Sequence, residues 1–335
     1  MSRRLKWGVL GTASITRRRF MPAMLKSRNA EVVALGSRDI DRAREFAAEF
    51  GIPRPYGSYE DVLKDPEVEA VYVPLPNHMH AEWTMRAADA GKHVLCEKPM
   101  AVDGQEALLV ASHCRERCVT LMEGFMYRLN PRTQKVKEIV DGGMIGDLRT
   151  AIVQFGFTIN REGNTRLIPG KGAGSLMDVG CYCINFSRYI FGEEPVWVLA
   201  SRRVDPEIGC DMSTSAVLGF SEDRTSLISC SFETYFRSAI ELIGTQGVLR
   251  AVRFFTPPEQ GKIGFTVTTD NDQVREFEFD AVNQFLLEIE HFSECVLEGK
   301  PVLLDPLTDA VGNGMVIDAV RKSWDTGCRA DVVSK

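Results

Sequence analysis

Trp7-Gly8-Val9-Leu10-Gly11-Thr12-Ala13-Ser14-Ile15-Thr16 passes from a short apolar run through a glycine turn into a segment with helical spacing. A dinucleotide site at the end of a first strand needs a glycine for the tight turn and a small second residue that lets the backbone approach a pyrophosphate. It also needs a helix N-terminus to receive the anion. Gly11 and Ala13 fill the first two roles, with Thr12, Ser14 and Ile15 completing the turn. Thr16 stands where the Gly-x-Gly-x-x-Gly fingerprint has its third glycine, so position in a first βα unit carries more weight than the motif alone. The alternative for Gly11 is an ordinary strand-to-helix turn.

Residues 5–10, 32–37, 70–75, 93–97 and 119–124 read as strands, separated by segments of helical period. Ile40, Ala43, Phe46, Ala47 and Phe50 form one such stripe, stopped at Gly51, and 80–90 and 105–118 are further helices. This is βα alternation, and right-handed crossovers turn it into a doubly wound, Rossmann-type parallel sheet over residues 1–124. Beyond that point the rhythm changes. Segments 196–204, 215–221, 226–233, 239–244, 264–269 and 275–279 follow one another as strands without intervening helices. Helices are expected at 131–140 and 175–191 before them and at 283–297 and 308–323 after them. The expectation for 125–335 is therefore an α+β domain on one open, mostly antiparallel sheet, giving an α/β protein of two domains.

Composition narrows the partners. With 335 residues, 44% of them hydrophobic, the chain can bury large cores. Forty Lys and Arg against forty-six Asp and Glu leave a net charge of −6, which offers no attraction to nucleic acid or to an anionic membrane. A small-molecule partner is expected. The amino terminus runs directly into a strand and the nine cysteines form no disulfide framework, which reads as a cytoplasmic protein with reduced thiols. His78-x-His80, Cys114-x₃-Cys118 and Cys181-x-Cys183 make no spaced four-ligand set, so no metal is expected.

The end of the second strand separates the two nicotinamide cofactors. NAD usually meets a carboxylate there, whereas NADP needs cationic or hydroxyl groups for its 2′-phosphate. Leu35-Gly36-Ser37-Arg38 has no carboxylate at the strand end, and Asp39 follows. Ser37 can donate a hydroxyl and Arg38 can pair with the phosphate, which predicts NADP over NAD. The competing reading makes Ser37 and Arg38 the approach to a helix capped by Asp39.

Later segments stand in a characteristic order: Pro74-Leu75-Pro76-Asn77-His78-Met79-His80, then Cys96-Glu97-Lys98-Pro99-Met100-Ala101, then Glu123-Gly124-Phe125-Met126-Tyr127-Arg128-Leu129-Asn130-Pro131, then Gly174-Ser175-Leu176-Met177-Asp178-Val179-Gly180-Cys181-Tyr182. Over essentially its whole length the chain resembles the glucose–fructose oxidoreductase, inositol dehydrogenase and MocA family. Asn164-x-Arg166-Leu167, and Tyr at 182, make it most similar to the branch of dimeric dihydrodiol dehydrogenase and NADP-dependent xylose dehydrogenase.

The resemblance implies hydride transfer between NADP(H) and a hydroxyl or carbonyl carbon of a sugar or cyclic polyol. A nucleotide-ketosugar reductase and a trans-dihydrodiol dehydrogenase are the rivals within that class; a nicotinamide-dependent glycosidase and a non-catalytic NADP sensor are those outside it. It implies Lys98 beside the nicotinamide, Tyr182 as proton donor or acceptor, and Asp178 orienting Lys98 or a substrate hydroxyl. Cofactor contacts are implied for Leu75, Pro76, Asn77, His80, Glu97, Lys98 and Arg166, and substrate contacts for Lys98, Phe125, Arg128, Asp178 and Tyr182. Residue by residue, His80 is equally a helix-start residue, and Tyr182 fits the apolar stripe of Val179, Cys183, Phe186 and Ile190. Alternating residues such as Val217 and Leu218 leave both faces of the second sheet partly apolar, and the resemblance implies a second copy as the cover, in a homodimer or a dimer of dimers.

Overall fold

The computed structural model describes residues 3–269 and 273–333. The chain divides into two compact units, one running to Met126 and taking in Asn283–Val311, the other comprising Tyr127–Val282 and continuing from Gly312. Residues 283–311 therefore pack with the first unit, although the sequence reading groups them with the stretch 125–335. Among the described residues no helix is long and apolar enough to cross a membrane.

The first unit holds β1 (Leu5–Leu10), β2 (Ala30–Gly36), β3 (Arg54–Tyr56), β4 (Ala70–Val73), β5 (His93–Glu97) and β6 (Leu121–Gly124) in the order β3-β2-β1-β4-β5-β6. All five pairings are parallel. The order reverses at β1, which lies between β2 and β4, and in doubly wound sheets ligands bind at the carboxyl ends of the strands beside such a reversal. Strand side chains alternate between the faces, and both faces are covered. Leu10 joins Val62, Ala87 and Val110 in one buried cluster. Trp7 points the other way, where its ring lies 5.9 Å from Phe20 and 5.1 Å from Phe292, and its Nε1 donates to Ser293 Oγ at 3.2 Å. Phe292 and Ser293 belong to the helix Gln284–Glu298, which is why that distant segment counts with this unit.

The second unit is built on β7 (Leu148–Gly156), β8 (Trp197–Val204), β9 (Asp211–Gly219), β10 (Thr225–Ser231), β11 (Arg237–Gly244), β12 (Gly247–Val252), β13 (Lys262–Thr269), β14 (Gln273–Asp280) and β15 (Ala330–Asp331). Their order is β14-β13-β12-β11-β7-β10-β9-β8-β15, antiparallel except for the β7/β10 pair. The open, mostly antiparallel sheet is as the sequence suggests, and among the described residues no helical crossover separates the strands from β8 to β14. One face is covered by the helix Cys181–Phe191, which packs on β7 and β10 and buries Val153, Phe155, Ile228 and Cys230. On the other face the register aligns Leu199, Val217, Leu227 and Ile152 across β8, β9, β10 and β7. Leu199 and Leu227 are 45% and 41% exposed.

Candidate functional site

Because every strand of the first sheet points the same way, the turns after β1, β2, β4 and β5 all emerge at one edge. Gly11, at the end of β1, has φ +108°, and a Cβ there would stand 3.3 Å from Leu75 Cδ2, so the position requires glycine. A helical segment opens at Ser14 directly behind it, and the first N–H groups of a helix have no acceptor within it. A close backbone turn feeding such donors fits a dinucleotide pyrophosphate. Thr12, Ala13 and Ile15 are half-buried and Ser14 is exposed.

After β2, the reading of Ser37-Arg38-Asp39 as the approach to a capped helix is what the structure shows. Asp39 caps the helix Ile40–Phe50, its carboxylate accepting from Asp41 N at 3.0 Å and Arg42 N at 3.3 Å. Ser37 Oγ accepts from Asp39 N at 3.3 Å, and Arg38 is exposed and interacts with Tyr59. The carboxylate nearest the strand end is thus engaged by its own helix, while a guanidinium and a hydroxyl remain at the edge.

The loops after β4 and β5 are tied together by His80. Its Nε2 lies 2.7 Å from Leu75 O and its Nδ1 2.8 Å from Pro99 O, and the ring is buried. Burial pulls its pKa down to about 4 against the opposing effect of the two carbonyls. With both nitrogens facing backbone, His80 braces the edge rather than reaching outward to a ribose. Glu97 accepts from Tyr72 Oη at 2.6 Å, Tyr72 stacks on Phe20 at 3.8 Å, and Glu123 Oε1 accepts from Met100 N at 2.7 Å. Half-buried Lys98 therefore leaves the sheet from a backbone fixed on both sides. Leu75 is buried, and Pro76 and Asn77 are half-buried beside it. Phe125 is fully buried and packs as core.

In the second unit, Leu176–Gly180 forms a π-helical turn that runs into the helix Cys181–Phe191. Asp178 lies in that turn and Tyr182 just past it, both buried. Arg166 pairs with Asp178, Nε to Oδ2 at 2.8 Å. Tyr182 is boxed by Tyr127, Phe155 and Phe255 at centroid distances of 5.9, 5.3 and 5.4 Å. Arg128 donates to Asn185 Oδ1 at 3.2 Å and lies 3.8 Å over the Tyr189 ring, and Tyr127 Oη donates to the same Asn185 oxygen at 2.6 Å. Asn185 and the aromatic box are the groups that sequence reasoning missed. The i+3 spacing of Asn185 from Tyr182 is a signal for the first, and the dispersed rings of Tyr127, Phe155 and Phe255 have none.

The first unit carries a lysine at the braced end of a cofactor edge, and the second a buried tyrosine and a paired aspartate on a helix; each is a kind of group that nicotinamide-dependent oxidoreductases use. Residues 5–125 match the profile described as "Oxidoreductase family, NAD-binding Rossmann fold", and residues 133–250 match the "GFO/IDH/MocA C-terminal domain". The chain belongs to the GFO/IDH/MocA family of oxidoreductases. It is 36% identical over 329 residues to D-xylose 1-dehydrogenase (NADP(+)) 2 of Haloferax volcanii, spanning 98% of this chain and 100% of the relative. It is 31% identical over 339 residues to trans-1,2-dihydrobenzene-1,2-diol dehydrogenase of Mus musculus, spanning 95% and 96%. Among solved structures, the 3-ketoreductase KijD10 of Actinomadura kijaniata, in complex with NADP and TDP-benzene, superimposes with a TM-score of 0.91 at 32% identity, covering 96% of this chain and 98% of that one.

Proposed function

We propose that this oxidoreductase uses NADP to interconvert a hydroxyl carbon of a sugar or cyclic polyol and the corresponding carbonyl. The observation that carries the cofactor choice is the turn after β2, where Asp39 is engaged as a helix cap and Arg38 is exposed beside Ser37. Gly11 through Ile15 would hold the pyrophosphate, Ser37 and Arg38 the 2′-phosphate, and Leu75, Pro76 and Asn77 the edge beyond them. The bound nicotinamide supplies hydride acceptance or donation at the substrate carbon.

The remaining work falls to the chain's own groups. Tyr182 exchanges the proton of the reacting oxygen, and the Lys98 ammonium stabilises that oxygen as it becomes alkoxide-like. A phenol, with an ordinary pKa near 10, needs such a cation to give up its proton at neutral pH. Asp178, its carboxylate held by Arg166, orients a neighbouring substrate hydroxyl. The rings of Tyr127, Phe155 and Phe255 keep water from the Tyr182 side chain. The names of the relatives support sugar-like substrates: an aldose dehydrogenase, a ketosugar reductase and a diol dehydrogenase. The test follows absorbance at 340 nm with NADP or NAD and a panel of aldoses, ketosugars, nucleotide sugars and cyclic diols. Net NADPH formation or consumption with one of these supports the reading. Hydrolysis of a glycoside without net NADPH, or cofactor binding with no turnover, overturns it.

The same reading includes a homodimer formed through the exposed face of the nine-stranded sheet. Its support is the aligned row of Leu199, Val217, Leu227 and Ile152, an apolar strip on which Leu199 and Leu227 stand exposed. Light scattering at micromolar concentration should return twice the 37.4 kDa of one chain, or four times for a dimer of dimers. A reducing, cytoplasmic setting completes it, supported by nine cysteines that stand as free thiols, Cys118 and Cys328 among them exposed.

A further inference from the structure

The π-helical turn at Leu176–Gly180 needs holding, because π geometry is rare outside functional sites and its first N–H groups have no acceptor within the turn. Ser175, at the cap position, makes no side-chain cap to the turn. The acceptor arrives from a residue far away in sequence. Asp211, at the start of β9 and 5% exposed, receives three hydrogen bonds on its Oδ2: from Ser175 Oγ at 2.7 Å, Leu176 N at 2.8 Å and Thr214 Oγ1 at 3.1 Å. Gly174 has φ +95°, and a Cβ on it would fall 1.9 Å from Asp211 Oδ1, so only glycine lets the backbone come this close to the carboxylate. From that anchored point two bonds lead forward: Gly174 N donates to Arg166 O at 3.0 Å, and Asp178 N donates to Gly174 O at 3.2 Å. Arg166 in turn pairs with the Asp178 carboxylate.

We propose that Asp211 is a positioning residue that fixes the start of the helical run and thereby the placement of the Asp178 carboxylate and the Tyr182 hydroxyl. This rests on the reading above that Asp178 and Tyr182 act on substrate. Three donors converging on one oxygen need a strong acceptor there, and a carboxylate oxygen accepts more strongly than the amide oxygen that Asn would supply. Burial raises the Asp211 pKa while the hydrogen bonds oppose it, so the acid is kept at this position despite a desolvation cost that a neutral residue would escape.

The test compares Asp211→Ala, Asp211→Asn and Ser175→Ala in the full-length protein. Turnover is measured with NADP on D-xylose and on the best substrate of the panel above, and hydrogen exchange is followed across 174–183. In Asp211→Ala the exchange of that segment should speed up at least ~10-fold and kcat should fall ~10²-fold, the cost of an ångström-scale misplacement, with the KM for NADP unchanged. Asp211→Asn, which keeps one acceptor oxygen, should recover most of the loss. Adding Tyr182→Phe to Asp211→Ala should lower kcat little further. Parental kcat and parental exchange at 174–183 in folded Asp211→Ala overturn the proposal, as does exchange that accelerates uniformly across both units. If Asp211→Ala does not fold, Ser175→Ala decides: it removes one of the three donors and should speed exchange at 174–183, and parental exchange and kcat in it overturn the proposal. A parental rate in Tyr182→Phe alone overturns the catalytic reading instead, while the exchange data still judge the hold of Asp211 on the turn.

Discussion

In the six-stranded sheet every strand points the same way, so Gly11, Ser37, Leu75 and Lys98, each at or just behind a strand end, gather at one edge through topology alone. The nine-stranded sheet has one parallel pair among antiparallel neighbours, and its loops therefore alternate between two edges. It places Asp178 and Tyr182 differently, on a helix lying over one covered face, and spends Asp211 and the β10 strand on fixing that helix. A parallel sheet collects functional loops because each crossover returns the chain to the same end. A meander does not, so its functional side chains ride on the element that closes the core.

The comparison can be broken first at the chemistry. Lys98→Met in the edge-built unit and Tyr182→Phe in the face-built unit should each lower kcat by about 10²–10⁴-fold with cofactor affinity little changed. Their double mutant should lose far less than the product of the single losses, because the two groups would act as a unit. Near-parental turnover in either variant, with a deuterium isotope effect showing that hydride transfer limits the rate, removes that unit from the mechanism.

The next largest effect tests what closes the first unit. Phe292→Ala opens a cavity against Trp7 and should cost about 3–5 kcal/mol in urea-unfolding free energy. A loss under 1 kcal/mol would mean that the helix Gln284–Glu298 is not a wall of that core.

Arg38→Ala should weaken NADP binding by about 1.5–3 kcal/mol and NAD binding much less, since only NADP carries the phosphate. Titration by NADPH fluorescence and by competition with NAD measures both. Equal losses would mean that Arg38 meets a part shared by both cofactors rather than the 2′-phosphate.

The last effect is a slope. Glu288 is buried with both carboxyl oxygens lacking a hydrogen-bond partner, and burial, with Glu97 nearby, pushes its pKa well above the usual carboxylate range. The unfolded chain gives up this proton above about pH 4.3 while the folded chain keeps it. Folding stability should therefore fall as pH rises past that point, by up to ~1.4 kcal/mol per pH unit, until the native carboxyl ionises. Glu288→Gln, neutral throughout, should flatten the decline in melting temperature between pH 5 and pH 8. Parallel curves for the two proteins would show that Glu288 is already charged in the native state.

The two units were not equally legible. β1, β5 and the glycine turn stood out because a buried parallel strand is a solid apolar run and a tight turn wants glycine. β3 was missed because Arg54-Pro55-Tyr56 is three half-buried residues at a sheet edge, with nothing to mark it. β7 was missed because a register shift opposite Ile243 and Gly244 puts Leu148 out of phase with Ala151, Val153 and Phe155, which blurs the period of two. Lys98, Asp178 and Tyr182 came from motif resemblance. The pairing of Arg166 with Asp178 was not legible, because sequence cannot show a loop folding back onto a carboxylate twelve residues later. Asp211 gave no signal at all, since the turn it holds lies thirty-five residues upstream in the chain.

The contact of Trp7 with Phe292 and Ser293 also bears on synthesis. Chain elongation proceeds at about 5–20 residues per second, so the 166 residues separating Met126 from Phe292 take roughly 10–30 s to make. Throughout that interval the nascent first unit has every strand of its sheet but lacks the helix that seals the Trp7 face. An indole and the rings beside it stay open to chaperones or to neighbouring nascent chains. For the same reason, a fragment cut at residue 124 to isolate the nucleotide-binding half would carry that unsealed face permanently and should be sticky in solution, whereas one in which 283–311 is rejoined by a short linker should not.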